Sequence, residues 1–170
     1  RKGSSEVPWR GGALIAPRDG GWQPVAPSAL PHGDGEAAPL ALDEAGLARV
    51  RQAFADAARR ALRLGLDAIE LHSAHGYLLH EFLSPIANRR GDAYGGSLAN
   101  RMRFPLEVFD EVRAAVPASV PVGVRLSAID WVDDGWDLQQ SVAYGHALRE
   151  HGCSYLHVSS GGVSPLQKIV

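Results

Sequence analysis

Residues 69–85 read IELHSAHGYLLHEFLSP, and the interpretation of this 170-residue chain depends on them. They open as a short apolar strand, predicted over residues 68–72, and an apolar helical run follows after a turn. The turn contains His72, His75 and Tyr77. Polar groups that follow a buried strand at its carboxyl end are where α/β enzymes place their catalytic side chains. This stretch therefore predicts a strand, a turn and a helix, with a candidate active site in the turn.

The predicted strand has two different faces. Alternation places Ala68, Glu70 and His72 on one face and Ile69 and Leu71 on the other. A lone histidine near a strand end is usually structural, but here a second histidine and a tyrosine follow within five residues. A functional role for these side chains is therefore as plausible as a structural one.

A zinc site is a competing interpretation of the two histidines, because His-x-x-His can chelate a metal ion. The sequence offers no clear third ligand. Cys153 is its only cysteine, and no His-x-His or Cys-x-x-Cys motif accompanies His72 and His75. The single cysteine also excludes an intramolecular disulfide bond and suits a reducing compartment.

A second motif follows the first along the chain. HSAHGYLLHEFLSP (72–85) is followed by NRRGDAYGGSLANRMRF (88–104). Together they resemble the Old Yellow Enzyme family of FMN-dependent ene-reductases, most closely the branch known as NADPH dehydrogenases. In that branch the two substrate ligands are both histidines. The resemblance runs from Arg1 to about Gly162, and the fixed offsets within the second motif make it specific.

The family's fold is a (β/α)₈ TIM barrel, which typically needs about 250 residues. The resemblance therefore implies a fragment of a barrel, covering about strands 4 to 6 with their helices. Residues 1–42, rich in Gly and Pro, are expected to form an irregular excursion after the missing third strand. Residues 43–170 are expected to be the central part of a single TIM-barrel domain. In the family an Arg-Lys pair follows the third strand, and Arg1 and Lys2 match it.

The order of elements predicted from 43 onward is αβαβαβ, which by itself indicates an α/β fold with a parallel sheet. The three helices are predicted to start after Asp43, Ser97 and Asp137, which are suitable N-caps. Apolar spacing predicts the following inward positions: Leu47, Val50, Phe54, Ala57, Ala61 and Leu64 in the first helix; Leu98, Met102, Leu106, Phe109 and Val116 in the second; Leu138, Val142, Gly145 and Leu148 in the third. The polar loop 88–97 is interpreted as architectural rather than catalytic.

The second predicted strand, residues 121–127, carries an arginine on a face that otherwise lacks bulk. Gly123, Arg125 and Ser127 share that face, and an unpaired buried guanidinium is costly. A bound anionic or electron-rich ligand would explain it, and an internal ion pair is the alternative. By the resemblance, Arg125 contacts the flavin near N1 and the pyrimidine oxygen. The third strand is predicted over residues 155–159.

The resemblance also implies a reaction for the intact protein. NADPH or NADH reduces FMN, and a hydride then passes to the β-carbon of an α,β-unsaturated carbonyl compound. His72 and His75 bind the carbonyl oxygen and stabilise the developing enolate. Tyr77 is the proton donor and, with the histidines, binds substrate. No metal is implied. Ser73 stands where alanine is usual in this branch, and alternation points it away from the barrel lumen.

Composition limits the other possibilities. The formal charge of −2 comes from 17 basic and 19 acidic residues that are well mixed, which does not favour a nucleic-acid or membrane surface. No membrane-length apolar run is present, so a cytoplasmic protein is expected, and a homo-oligomer when intact. Two alternatives stay open: the core of a larger dienoyl-CoA reductase-like flavoenzyme, or a non-catalytic fragment unable to retain FMN.

The sequence also predicts a polar pair on the sheet and the behaviour of the chain by itself. Alternation places Glu70 and His157 on the lumen face, where Glu70 is predicted to pair with His157 or to reach Arg125. The chain by itself is expected to be marginally stable or aggregated, because unpaired strand edges and a polar lumen face need the rest of a barrel.

Overall fold

The computed structural model describes residues 3–169. Arg1 and Lys2, which the resemblance matches to a family motif, lie outside the described residues. After two short 3₁₀ turns, Pro8–Arg10 and Pro17–Asp19, the elements follow in this order: β1 (Val25–Ala26), β2 (Leu40–Ala41), α1 (Glu44–Arg63), β3 (Ile69–Ser73), α2 (Leu78–Leu83), α3 (Leu98–Ala115), β4 (Val122–Ser127), α4 (Leu138–Glu150) and β5 (Leu156–Ser159). None of these helices is long and apolar enough to cross a membrane.

The main sheet has the strand order β3-β4-β5, and both pairs are parallel. The three predicted strands are thus present, each within one residue of its predicted bounds. The register places His72, Arg125 and His157 side by side on one rung. Residues on the opposite face, such as Leu71 and Leu126, are buried. One face of the sheet therefore forms the core, and the other carries the predicted site residues.

The first helix begins as predicted. The Asp43 carboxylate accepts a hydrogen bond from Gly46 N at 2.7 Å, and Gly65, with φ +80°, follows its last turn. Its predicted inward face is partly wrong. Leu47 is buried, but Ala57 and Leu64 are exposed, Leu64 to 81%. Further buried helix positions are Gly46, Ala55 and Ala58.

Packing on two sides explains this difference. The helix α1 packs against α3, which rotates the buried face toward Ala55 and Ala58. The other apolar side, with Ala57 and Ala61, lines an open groove beside β3. An alanine-rich helix can bury either side, because small side chains make its apolar face broad.

The second long helix is continuous through Pro105, and Ser97 caps it by accepting a hydrogen bond from Asn100 N. Phe109 and Val116 are buried as predicted, whereas Leu98, Met102 and Leu106 are only partly buried against the core. The fully inward face consists of Arg101, Phe104, Pro105, Val108, Phe109 and Val112. The prediction missed this face because α3 packs against both α1 and α2, so its buried surface is wider than one apolar stripe.

The last helix begins at the predicted cap, where Asp137 accepts a hydrogen bond from Gln140 N at 2.9 Å. Leu148 is buried as predicted, but Leu138 and Val142 are about 60% exposed. The buried positions are Ser141, Tyr144 and Leu148. The inward prediction is therefore wrong for Leu138 and Val142. Tyr144 occupies the core instead, because its ring packs edge-on against the buried Trp136.

Candidate active site

The turn after β3 brings the three predicted catalytic side chains together. The ring centroids of His72 and His75 are 5.2 Å apart, and those of His72 and Tyr77 are 5.3 Å apart. All three lie at the carboxyl end of β3, where a parallel α/β sheet places its chemistry. Tyr77 is 48% exposed, so its phenol faces the open side of the sheet. Two potential hydrogen-bond donors, His72 and His75, and one potential acid, Tyr77, thus lie close together.

His75 is held by the neighbouring strands. Its backbone is left-handed, with φ +57°, and its N–H donates to Ser127 Oγ at 3.0 Å. Its Nε2 lies 2.6 Å from Ser159 Oγ. Ser127 Oγ in turn donates to Gly161 O at 2.8 Å. Both serines end a strand, Ser127 in β4 and Ser159 in β5. The ends of all three strands therefore converge on His75, β4 at its backbone amide and β5 at its imidazole.

Two glycines allow the loops after β3 and β5 to touch through their backbones. Gly76 has φ +70°, and a Cβ there would lie 2.2 Å from Gly162 O. Gly162 has φ +98°, and a Cβ there would lie 2.5 Å from His75 Cα. Neither position accepts another residue without moving a loop that carries His75.

Arg125 lies beside His72 on the same rung of the sheet. Its Nε atom is buried and has no hydrogen-bond partner among the described residues. Next to it on this face is Gly123, which has no side chain and is covered by the Tyr155 ring. An electron-rich ligand, such as the pyrimidine edge of a flavin, would satisfy the Arg125 Nε–H, because a buried donor without a partner is costly. Arg125 thus has a buried donor available for a ligand on this face.

A hydrogen bond on this face joins Glu70 and His157. The His157 Nδ1 lies 3.3 Å from the Glu70 carboxylate. Of the two predicted partners of Glu70, the structure therefore shows His157. The two residues share the predicted face of the sheet, although both are exposed to solvent rather than enclosed. The ring of Tyr155 lies over Gly123, and burial together with the Glu70 carboxylate raises the pKa of its phenol. These groups form a polar layer below the histidine turn.

Ser73 points away from this face, as predicted. Its side chain is fully buried, and its hydroxyl faces the phenol of Tyr144. Burial raises the pKa of the Tyr144 phenol, and the serine hydroxyl partly opposes that shift. Ser73 thus belongs to the core between β3 and α4 rather than to the site.

The loop 88–97 ties elements together. Asn88 Nδ2 donates to Phe82 O at 2.7 Å and to Tyr94 O at 2.8 Å. Arg90 Nη1 donates to Leu42 O, which anchors the segment before α1. The hydrogen-bond pattern agrees with an architectural role.

Sequence reasoning missed a buried pair behind the site. His80 and Asp130 are fully buried, with His80 Nε2 2.8 Å from Asp130 Oδ1. In the sequence His80 is one polar residue within an apolar helical run and gives no signal of its own. Ser127 and Ser159 were missed as partners of His75. The position of both serines at the end of a strand could have predicted their role, because the same criterion identified His72.

Within residues 3–169 no cluster of three or more His, Cys, Asp or Glu side chains could hold a metal ion. The two histidines of the turn therefore have no further ligand of these types in the described part of the chain.

A parallel α/β sheet with polar side chains at the carboxyl ends of its strands is where enzymes of this architecture bind ligands and cofactors. Comparison with known proteins identifies the family. Residues 13–161 match the model of the NADH:flavin oxidoreductase / NADH oxidase family, and the chain belongs to this family. The predicted family is confirmed, whereas its His–His branch stays a prediction.

Three similar proteins illustrate the match. The NADPH dehydrogenase of Geobacillus thermodenitrificans is 45% identical over 141 residues, which are 83% of this chain and 41% of that protein. The old yellow enzyme homologue of Zymomonas mobilis superposes with a TM-score of 0.75 at 29% identity, over 89% of this chain and 45% of that one. 2-Naphthoyl-CoA reductase superposes with a TM-score of 0.79 at 28% identity, over 85% of this chain and 22% of that one. The chain thus spans less than half the length of each, in keeping with part of a larger α/β enzyme.

Proposed function

We propose that the protein is an FMN-dependent NAD(P)H oxidoreductase that reduces the activated C=C bond of α,β-unsaturated carbonyl compounds. The observation that carries the proposal is the grouping of His72, His75 and Tyr77 beside Arg125 at one sheet edge. Hydrogen-bond donors for a carbonyl oxygen and an acid for a carbon are the groups that such a reduction requires.

His72 and His75 bind the substrate's carbonyl oxygen. Two N–H donors directed at one oxygen withdraw electron density from the conjugated C=C bond. They bind the enolate more strongly than the ketone, because negative charge develops on the oxygen during hydride addition. The contacts of His75 with Ser127 and Ser159 orient its ring before substrate arrives.

Tyr77 delivers the proton that completes the reduction. Its ring lies next to that of His72, so a substrate held by the histidines has its α-carbon near the phenol. The side chain is half exposed, which gives the phenol a route to regain its proton from water. An acid placed at this point protonates the enolate carbon rather than its oxygen.

Arg125 stabilises negative charge on the cofactor side of the site. When bound, FMN supplies the hydride that it has received from NAD(P)H. The half-buried Arg125 side chain lies on β4 between His72 and His157, with its Nε atom buried. It favours an electron-rich ligand because its Nε has no other partner among the described residues.

The cellular setting is part of the proposal. We expect a cytoplasmic protein, since the sequence has a single cysteine, Cys153, which suits a reducing compartment. The intact protein is expected to be a homo-oligomer.

The experiment uses the full-length protein loaded with FMN. Changing Tyr77→Phe should lower the rate of 2-cyclohexenone reduction by about 10²–10⁴-fold, while NADPH oxidation by oxygen survives. Tyr94→Phe is the matched control, because Tyr94 lies in the loop 88–97 and bonds Glu107. A loss below tenfold in Tyr77→Phe would assign the proton to another donor.

The histidines have a separate test. Bound phenols give a charge-transfer absorbance with flavins, and the double change His72→Ala, His75→Ala should abolish it. Unchanged phenol affinity in this double variant would show that the histidines do not bind the oxyanion.

A second candidate substrate is an unsaturated acyl-CoA thioester. The match to 2-naphthoyl-CoA reductase favours it, and the same three side chains would serve, since a thioester carbonyl also activates its C=C bond. Comparing kcat/KM for cyclohexenone with that for crotonyl-CoA decides between the two. The remaining alternative, a polypeptide that does not retain FMN, predicts a colourless protein after desalting.

A further inference from the structure

A buried hydrogen-bond chain reaches the catalytic turn from behind. The amide N–H of Gly76, which lies between His75 and Tyr77, donates to His80 Nδ1 at 2.9 Å. On the other side of the ring, His80 Nε2 lies 2.8 Å from Asp130 Oδ1. Both His80 and Asp130 have no exposed surface. Burying two such groups is costly unless their hydrogen bonds are made. Each hydrogen bond in this series must therefore have one donor and one acceptor.

The geometry decides the tautomer of His80. A backbone amide can only donate, so Nδ1 must accept and carries no proton. The ring proton is then on Nε2, and it is donated to Asp130. A neutral imidazole of this one tautomer satisfies both neighbours.

The Asp130 carboxylate accepts several hydrogen bonds. Besides the imidazole, it accepts a hydrogen bond from Ser84 Oγ at 2.6 Å and from Trp136 N at 2.8 Å. The buried Arg101 lies close enough to attract its charge. Three donors and a nearby cation hold this carboxylate as an acceptor that fixes the His80 tautomer.

The turn that His80 holds is strained. His75 and Gly76 are two successive left-handed residues, with φ +57° and +70°. A left-handed conformation at a residue with a side chain costs about 1–2 kcal/mol, so outside contacts must hold it. The amide of His75 is held by Ser127, and that of Gly76 by His80.

We propose that His80 is a positioning residue: it accepts the Gly76 amide and so aims His75 and Tyr77 at the substrate, with Asp130 fixing its tautomer. The inference rests on the proposed function of these two side chains. His80 itself touches neither substrate nor cofactor. It links the loop after β3 to the loop after β4, so the turn keeps its shape in the absence of ligand.

A purely space-filling role for His80 predicts different results. Leucine fills a buried position but leaves the Gly76 amide and the Asp130 Oδ1 atom without their partner. Glutamine carries one acceptor and one donor and can reproduce both hydrogen bonds. Val108→Ala is the matched control, because Val108 is fully buried on α3 and its loss lowers stability without touching the turn.

The experiment compares His80→Leu, His80→Gln, Asp130→Asn and Val108→Ala in the full-length, FMN-loaded protein. The first readout is the dissociation constant of 4-chlorophenol from its charge-transfer absorbance, well below the unfolding temperature. We expect about 10–100-fold weaker binding in His80→Leu, the range found when a hydrogen-bond partner that orients a metal ligand is removed. His80→Gln should stay within about threefold of the wild type, Asp130→Asn should fall between them, and Val108→Ala should match the wild type.

The second readout is hydrogen exchange of the peptide covering residues 74–79, measured by mass spectrometry and needing no substrate. This peptide should exchange at least about tenfold faster in His80→Leu than in Val108→Ala at equal global stability. Equal exchange and equal phenol affinity in the two would overturn the inference. If His80→Leu does not fold, Asp130→Asn decides, since an amide at this place disturbs the tautomer but not the packing. A wild-type protein without a phenol band refutes the proposed function, and the exchange readout then decides the positioning role alone.

Discussion

Gly76→Ala is the sharpest structural test of the catalytic turn. The new Cβ would lie 2.2 Å from Gly162 O and 2.7 Å from Val163 Cα. Both are backbone atoms, so no side chain can swing aside. The loops after β3 and β5 would have to part by roughly 1 Å to restore an ordinary contact. That movement would also pull His75 away from Ser127 and Ser159.

The magnitude has two parts. A left-handed alanine costs about 1–2 kcal/mol relative to glycine. Overpacking against a backbone that must move adds about 1–3 kcal/mol. Gly65→Ala is the matched control, because Gly65 has φ +80° and a Cβ added there would meet nothing within 4 Å. We therefore expect a loss of about 2–5 kcal/mol for Gly76→Ala and about 1–2 kcal/mol for Gly65→Ala.

Urea unfolding of the full-length protein measures both losses, and 4-chlorophenol binding reports on the turn. Gly76→Ala should weaken phenol binding as well as stability, whereas Gly65→Ala should change stability alone. Equal destabilisation by the two substitutions, with phenol affinity intact in both, would refute the backbone contact between the two loops.

Further predictions concern the sheet, the core, a helix cap and the chain alone. Gly123→Ala places a Cβ 2.3 Å from the Tyr155 ring and should lower the flavin bound per protein by absorbance, a result that full flavin content would contradict. Phe104→Ala removes a fully buried ring and should cost about 3–5 kcal/mol in urea unfolding; a cost below about 1 kcal/mol would show that the core refills the space. The hydrogen bonds at the start of α4 lower the pKa of Asp137, so its contribution is present above its unfolded pKa of about 3.9 and is lost as the pH falls through the lower folded value. Asp137→Ala should therefore cost about 1 kcal/mol at pH 7 and nothing near pH 2, as urea midpoints at the two pH values will show; a cost independent of pH would contradict this. The chain expressed alone should unfold without cooperativity and lose FMN on desalting, because β3 and β5 are edge strands of the described sheet; a monomeric yellow protein would be the contrary result.

Much of the fold follows from short-range sequence patterns. The three helix caps at Asp43, Ser97 and Asp137 were predictable because a cap depends on residues within one turn. The shared sheet face of Glu70 and His157 was predictable because side-chain direction in a strand alternates with a period of two. The cluster in the turn after β3 was found through its place at the end of a buried strand.

The helix faces were less predictable. Apolar spacing in α1 and α4 allowed more than one inward face, and the choice depends on which neighbour each helix meets. Leu64 and Val142 are exposed because α1 packs against α3 and α4 presents Tyr144 to the core. A periodic pattern shows that a helix is two-sided, but it does not show what lies against each side.

The contacts that shape the candidate site required the folded chain. Gly76 meets Gly162 across 86 positions of sequence, and His80 meets Asp130 across 50. Single residues such as these carry no local signal, because a histidine within an apolar run or a glycine in a turn has many ordinary explanations. Local sequence sets backbone preference and side-chain alternation through interactions within a few residues. The pairing of distant residues depends on how the strands align and how their loops approach, which only the packed sheet defines.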